Sequence, residues 1–372
     1  MRVHLVDPSA FTPPYDHALA AALVRAGADV DLVTSRFLYG PAPAADGYRV
    51  DERFYGASAR PRVRRSGGTR MALKLAEHVP EMLAYRRAAR RADIAHFQWL
   101  TVQPVDWALL PSGPPRVLTA HDVIPREPRP GQIAATKRLV HRMDAVVVHS
   151  GHGADRLEGE LGLPRDRIRV IPHGAFDHYR RVARPAPLPD ELARVEGPVI
   201  LFFGLLRPYK GIDVLLDAFR SVEGAELWIV GMPRMPVEPL RELAARAPGT
   251  VRFVPRFVTD AEIPAYFERA DVVVLPYRQI DQSGVLYTAL GFGKPLVLSK
   301  VGGFTELGER DGAARLVPPG DATALADALN GLTGNPAERA RLGDAAARAA
   351  STRYSWDDIA RRHMDLYREL LA

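Results

Sequence analysis

Two short stretches in the second half of the chain carry residues suited to holding an anion. In "FFGLLRPYKGIDVLLDAF", residues 202–219, Gly204 ends an apolar strand, and Arg207 and Lys210 lie in the loop before the next helix. Arg meets a phosphate with its planar fork and Lys as a point charge. In "DQSGVLYTALGFGKPLVLSKVGG", residues 281–303, Gln282, Ser283 and Gly284 open a helix. The first N–H groups of a helix and the positive end of its dipole favour negative charge, and Gly284 lets a phosphate approach the backbone closely. Each stretch also has a plainer reading: a solvated Arg and Lys on an exposed loop, and simple N-capping by Ser283. Two anion-seeking loops at one sheet edge favour a diphosphate.

The first half offers a second group. "RVLTAHDVI", "AVVVHS" and "IRVIPHG" read as strands that end in polar or glycine residues. Ligands of open α/β sheets bind beyond the carboxyl ends of the strands, so His121, Asp122, Ser150, His173 and Gly174 stand where a ligand would be. "HSGH" at 149–152 has the residue types of a metal site, but Ser150 before "GHGADRLEGEL" reads better as a helix cap.

The elements that position these residues follow from apolar periodicity. "VHLVD" leads to the helical pattern "YDHALAAALVRAGADVDLVTS", with a Gly stop before the next strand. Short β-rich runs go on alternating with helical patterns, which predicts parallel sheets with crossover helices. Near residue 180 the pattern breaks into the Pro- and Arg-rich "HYRRVARPAPLPDELARVEGPV", which reads as a linker. A second alternation follows from "VILFFGLL" through "DVVVLPY", and two Arg-rich helices end the chain. The expected organisation is a first Rossmann-like domain over residues 1–180, a second over 181–352 and a terminal helix over 353–372.

Composition narrows the function classes. A chain of 372 residues with 47% hydrophobic and 25% charged content is too long for one core and suits two domains. With no cysteine, disulfides, thiolate metal sites and Cys nucleophiles are excluded together. Fifty basic against 44 acidic residues bias the surface toward anions. The first residues lack a secretory signal and no apolar run reaches membrane-spanning length, so a cytoplasmic location, at most peripheral at the inner membrane face, is expected. A dinucleotide dehydrogenase needs a Gly-rich turn after its first strand, and "VDPSAFTPPYDHAL" has no glycine. Neither a G-x-S-x-G elbow nor a Walker loop is present.

The ordered series "LTAHD", "IRVIPHG", "FFGLLRPYKGIDVLLDAF", "ADVVVLPY", "SGVLYTALGFGKPLVLSKVGGFTEL" and "RLVPPGDATALADAL" resembles the retaining, nucleotide-sugar-dependent glycosyltransferases of family 4. The resemblance covers roughly residues 115–335. It implies an α/β GT-B fold, two doubly wound Rossmann-like domains facing across a central cleft, with the acceptor on the first domain and the donor on the second. It implies that the terminal helix packs back on the first domain, with Trp356 as anchor. By position, Lys210 matches the lysine at the donor diphosphate and His121 the histidine at the donor sugar. Ser283, Gly284 and Val285 match the backbone that meets the phosphates, and Glu306 matches an acidic position read as structural.

The sequence departs from the family pattern twice. Leu205 stands where the family arginine follows the glycine, and Arg207 comes two residues later as a substitute. The two family glutamates are replaced by Ile280 and Thr288, leaving Asp281 to approach the sugar and Thr288 to offer the ribose one hydrogen bond. The implied reaction is glycosyl transfer from a UDP- or GDP-sugar to a glycan, lipid-linked or small-molecule acceptor with retained configuration and without a metal or other cofactor. An epimerase on the same fold and a non-catalytic nucleotide-binding module remain as alternatives.

Residues 60–91, "RPRVRRSGGTRMALKLAEHVPEMLAYRRAARR", hold ten Arg or Lys against Glu77 and Glu81. Part of the segment reads as an amphipathic helix able to lie on an anionic membrane; the other reading is a solvated basic face around an anionic acceptor. Interleaved aromatics are scarce, so nucleic acid is not expected.

Overall fold

Strand pairing is parallel throughout the described residues, as the alternation of apolar runs with helices predicts. The structure, a computed structural model, describes residues 1–60, 67–100, 102–124, 128 and 130–372. They divide into two units, Met1–Gly174 with Trp356–Ala372, and Ala175–Ser355.

The first unit carries a seven-stranded sheet in the order β3-β2-β1-β4-β5-β6-β7. Its strands are β1 (Arg2–Asp7), β2 (Asp29–Ser35), β3 (Arg49–Phe54), β4 (Ile94–Phe97), β5 (Arg116–Thr119), β6 (Ala145–Val148) and β7 (Ile168–Val170). The second carries β8 (Val199–Phe203), β9 (Glu226–Val230), β10 (Val251–Val254), β11 (Val272–Leu275), β12 (Leu296–Ser299) and β13 (Ala314–Val317), in the order β10-β9-β8-β11-β12-β13. Both faces of β11 and β12 are covered, so "VVVL" and "LVLS" are buried along their whole length. Strand β3, "RVDERF", is a partly exposed edge, and its run of charges hides it from an apolar-pattern search.

Each sheet reverses its order beside its first strand, between β1 and β4 and between β8 and β11. At such a switch point the flanking loops diverge and leave a crevice at the carboxyl edge. In the second unit these are the loop after β8, with Arg207 and Lys210, and the loop after β11, with residues 276–283.

The chain passes from the first unit to the second at Gly174/Ala175, earlier than the expected boundary at 180. Ala175 donates its N–H to the Tyr354 carbonyl and Phe176 to that of Tyr287, which ties both into the second unit. The supposed linker is likewise packed: Tyr179 and Leu192 are buried, and the Ala186 N–H bonds the Ala261 carbonyl. The return to the first unit falls at Ser355/Trp356, a little later than 352. There the helix Trp356–Leu371 packs on the helix Pro13–Arg25, and the Tyr367 hydroxyl lies 2.6 Å from His96 Nδ1.

Two positive-φ glycines distinguish backbone strain from steric exclusion. Gly211, before the helix Ile212–Phe219, has φ +66°, and a Cβ there would lie 2.1 Å from the Pro276 carbonyl oxygen. Gly27 has φ +93° with nothing within 4 Å of its Cβ position. Gly27→Ala should cost about 1 kcal/mol and Gly211→Ala at least about 2 kcal/mol more, because only the second forces β8 and β11 loops apart. Urea unfolding of both variants measures the difference, and equal costs would contradict it.

Candidate functional site

The β8 and β11 loops converge on Gly204. That residue has φ +109° and donates its N–H to the Val230 carbonyl. A Cβ on it would stand 3.0 Å from Lys210 Nζ and 3.0 Å from Val285 Cγ2. A residue from each of the two stretches therefore meets at one point, beside a backbone conformation that favours glycine.

Lys210 ends the single turn Pro208–Lys210 and is 6% exposed. Its ammonium lies 5.0 Å from the ring centre of Tyr277 and 6.0 Å from that of Phe202, where ring quadrupoles favour the charge. Tyr277 is fully buried, and its hydroxyl lies 3.5 Å from Ser283 Oγ. Arg207 is exposed on extended backbone at the start of the turn.

A second arginine, which sequence reasoning missed, braces this turn. Arg278 grips both carboxylate oxygens of Asp213 at 2.8 and 2.6 Å, donates to the Pro208 carbonyl at 3.0 Å, and bonds the Tyr209 carbonyl through its backbone N–H. The Arg278 guanidinium, acting ahead of burial, holds the Asp213 carboxyl below the usual carboxylate range. The available signal was a charge placed three residues beyond a wholly apolar strand.

The helix Gly284–Gly291 begins at the opposite side of the crevice. Ser283 is its N-cap residue, but its side chain makes no capping bond, contrary to the plainer reading of "SG". Gly284 is exposed and Val285 half-buried, so the first turn is accessible. Gln282 accepts a hydrogen bond from the Tyr287 hydroxyl at 2.7 Å. Asp281 and Ile280 are buried. A Cβ on Gly303 would come within 2.4 Å of Gln282 Nε2 and 3.1 Å of the Asp281 carbonyl oxygen, which explains the second glycine of "KVGG". Thr288 is buried and donates its hydroxyl proton to the Gly284 carbonyl at 3.0 Å, leaving only acceptor capacity for a ligand. Glu306 sits on the helix Gly302–Asp311, 3.9 Å from Arg310. Burial, reinforced by the charges of Glu306 and Asp311, raises the Tyr287 phenol above its ordinary range.

In the first unit the residues at the strand ends form an imidazole cluster. His121 stacks on Trp99, with ring centres 5.0 Å apart, and meets the edge of Tyr15 at 4.7 Å. His149 lies 5.1 Å from His121 and 5.2 Å from His173. Burial is the main cause that lowers all three, His149 to about 4 and the other two well below the ordinary histidine range, so the rings are neutral near pH 7. His173 donates from Nδ1 to the Gly174 carbonyl at 2.7 Å. Gly174 is a packing position, since a Cβ there would fall 2.4 Å from the Trp356 indole. Asp122 is half-buried beside His121. Ser150 caps the helix Gly151–Leu161 by accepting from the Gly153 N–H. Among the described residues, no group of three or more His, Asp or Glu is placed to hold a metal ion.

Two family models match the chain: "Glycosyltransferase Family 4" over residues 15–175 and "Glycosyl transferases group 1" over residues 197–335. The chain belongs to glycosyltransferase family 4. A D-inositol 3-phosphate glycosyltransferase of Xylanimonas cellulosilytica is 32% identical over 253 residues, which is 64% of this chain and 60% of that protein. A phosphatidyl-myo-inositol mannosyltransferase of Mycobacterium leprae is 38% identical over 178 residues, 46% of each. The alignments thus span less than two thirds of these curated relatives. Among solved structures, sucrose-phosphate synthase of Thermosynechococcus elongatus superposes with a TM-score of 0.76 at 22% identity, covering 100% of this chain and 99% of that one. Anabaena HepE, solved in complex with UDP-glucose, gives 0.74 at 19% identity, covering 99% and 100%. The fold is that of the GT-B glycosyltransferases.

Proposed function

We propose that this family 4 member is a retaining glycosyltransferase that moves a sugar from a UDP- or GDP-sugar to an acceptor hydroxyl. The observation that carries the reading is the meeting of the Lys210 ammonium and Val285, in the first turn of its helix, at the Cβ-free face of Gly204. A fixed cation and a helix N-terminus at a switch point suit a diphosphate. The relatives named as glycosyl- and mannosyltransferases and the neighbour solved with UDP-glucose support the same chemistry.

In the proposed reaction the bond from the anomeric carbon to the diphosphate breaks while a bond to the acceptor oxygen forms on the same face. The acceptor proton passes to the departing phosphate oxygen. Lys210, Arg207 and the N–H groups of Ser283, Gly284 and Val285 stabilise the charge that develops on the leaving group, and being preorganised they need no rearrangement to do so. No metal enters this scheme. Thr288 accepts one hydrogen bond from the ribose, a weaker hold than a carboxylate gives. His121 meets the transferred sugar, and Asp281 and Gln282 support the sugar side of the loop.

The experiment is product analysis with a panel of nucleotide sugars and acceptors. A transferase consumes donor with acceptor, an epimerase converts the sugar alone, and a binding module does neither. Lys210→Ala removes one charge-assisted contact, about 1.5–3 kcal/mol, so kcat/KM should fall about tenfold to over a hundredfold with the fold intact. Near-wild-type turnover in that variant would remove Lys210 from its role.

We further propose that the enzyme works at the cytoplasmic face of an anionic membrane. On the helix Gly67–Ala88, Met71, Ala72, Leu75, Ala76, Val79, Pro80, Leu83 and Ala84 are all exposed, an apolar strip without a polar interruption. The acids of the segment turn away from it: Glu77 accepts the backbone N–H groups of Ala57 and Ser58, and Glu81 that of Tyr55. Arg87, Arg90 and Arg91 are exposed at the end of the strip; the arginines at 62, 64 and 65 lie outside the described residues. An apolar strip beside basic charge is the pattern of a helix lying in a lipid interface. No described helix is long and apolar enough to cross a membrane. The chain should cosediment with anionic but not zwitterionic vesicles at low salt, and the double change Leu75→Glu, Leu83→Glu should abolish this. Concentration-dependent self-association with no vesicle binding would assign the strip to a second copy instead.

A further inference from the structure

His121 is held by a chain of hydrogen bonds that ends on the backbone. His149 Nδ1 lies 3.0 Å from the Ile171 carbonyl oxygen, and His149 Nε2 lies 3.2 Å from His121 Nδ1. His121 Nε2 lies 3.3 Å from the Gln98 side-chain oxygen. A carbonyl oxygen can only accept, so the proton of His149 sits on Nδ1. Burial keeps His149 and His121 neutral, and each ring then has one donor and one acceptor nitrogen.

The remaining protons follow in order. His149 Nε2 is bare and must accept, which obliges His121 to carry its proton on Nδ1. His121 Nε2 is then an acceptor. As placed, Gln98 turns its oxygen to His121 Nε2, which would set two acceptors face to face; turning the amide end for end removes that clash and gives the otherwise unpartnered amide nitrogen an acceptor in His121 Nε2. Trp99 covers one face of His121 at an interplanar angle of 11° and Tyr15 stands against it at 89°, which holds the plane of the ring.

We propose that His149 is a positioning residue: relaying the Ile171 carbonyl, it fixes His121 in the Nδ1–H tautomer, so that the single lone pair of His121 Nε2 is one that a hydroxyl of the transferred sugar takes over from the Gln98 amide. The ligand's identity rests on the transferase reading; the tautomer does not. Without the relay, His121 is free to place its proton on Nε2 and would present a donor to a donor. "AVVVHS" therefore holds a functional residue as well as a helix cap.

Nitrogen-15 spectra of the histidine-labelled full chain test this directly, since protonated and bare ring nitrogens are distinct. Wild-type protein should show Nδ1–H at both His149 and His121. His149→Met removes the acceptor and should shift His121 toward the Nε2–H form, with kcat/KM falling about tenfold to a hundredfold. His149→Gln places an amide oxygen where Nε2 stood, and should keep the His121 tautomer and most of the activity. An Nε2–H signal at His121 in the wild type, an unchanged His121 tautomer in His149→Met, or equal losses in both variants would overturn the proposal. If no nucleotide sugar is turned over at all, the transferase reading fails while the spectra still decide the tautomer.

Discussion

The bare Cα of Gly204 is the constraint on which the second unit's chemistry depends. Lys210 comes from the turn after β8 and Val285 from the helix after β11, and both stand 3.0 Å from the place a Cβ would occupy. A side chain there would be strained at φ +109° and would press on both groups. Further contacts keep the convergence in place. Gly231, with φ +142°, must also lack a side chain, since its Cβ would fall 2.0 Å from the Gly204 carbonyl oxygen. The Arg278–Asp213 pair pins the turn from the solvent side. The buried ring of Tyr277 supports the ammonium from below. The proposed anion site is thus assembled from elements more than 70 residues apart in sequence.

The first unit solves a different problem. Burial lowers His121, His149 and His173 below the ordinary histidine range, and in the proposed site they act through the direction of their hydrogen bonds, not through charge. Tyr15 touches His121, His149 and His173, as well as the Trp356 indole that the returning C-terminal helix supplies. The terminal segment is thus part of the support for the imidazole cluster.

Much of this was legible in the sequence because the signals are local. Apolar runs ending in Gly, His or Arg mark strands and their carboxyl edges, and "GLLRPYKG" and "QSG" each carry their chemistry within a few residues. The less legible parts depend on contacts distant along the chain. Proline and arginine make residues 178–199 read as a linker, yet burial of Tyr179 and Leu192 sets them in the second unit. Strand β3 is hidden by its charges. His149 looked like a weak metal motif until the Ile171 carbonyl, 22 residues away, was seen to face its Nδ1. Thr288, which stands where a carboxylate is usual, turned out to spend its proton on the Gly284 carbonyl.

The central claim is that the crevice between the β8 and β11 loops recognises a nucleotide chiefly through its phosphates. Calorimetric titration of UDP, GDP and the corresponding nucleosides into the wild-type chain tests it most directly. Two or more charge-assisted contacts should make one diphosphate bind at least about a hundredfold more tightly than its own nucleoside, with an affinity that weakens as salt is raised. Equal affinities for diphosphate and nucleoside, or no binding of any nucleoside diphosphate, would contradict the account.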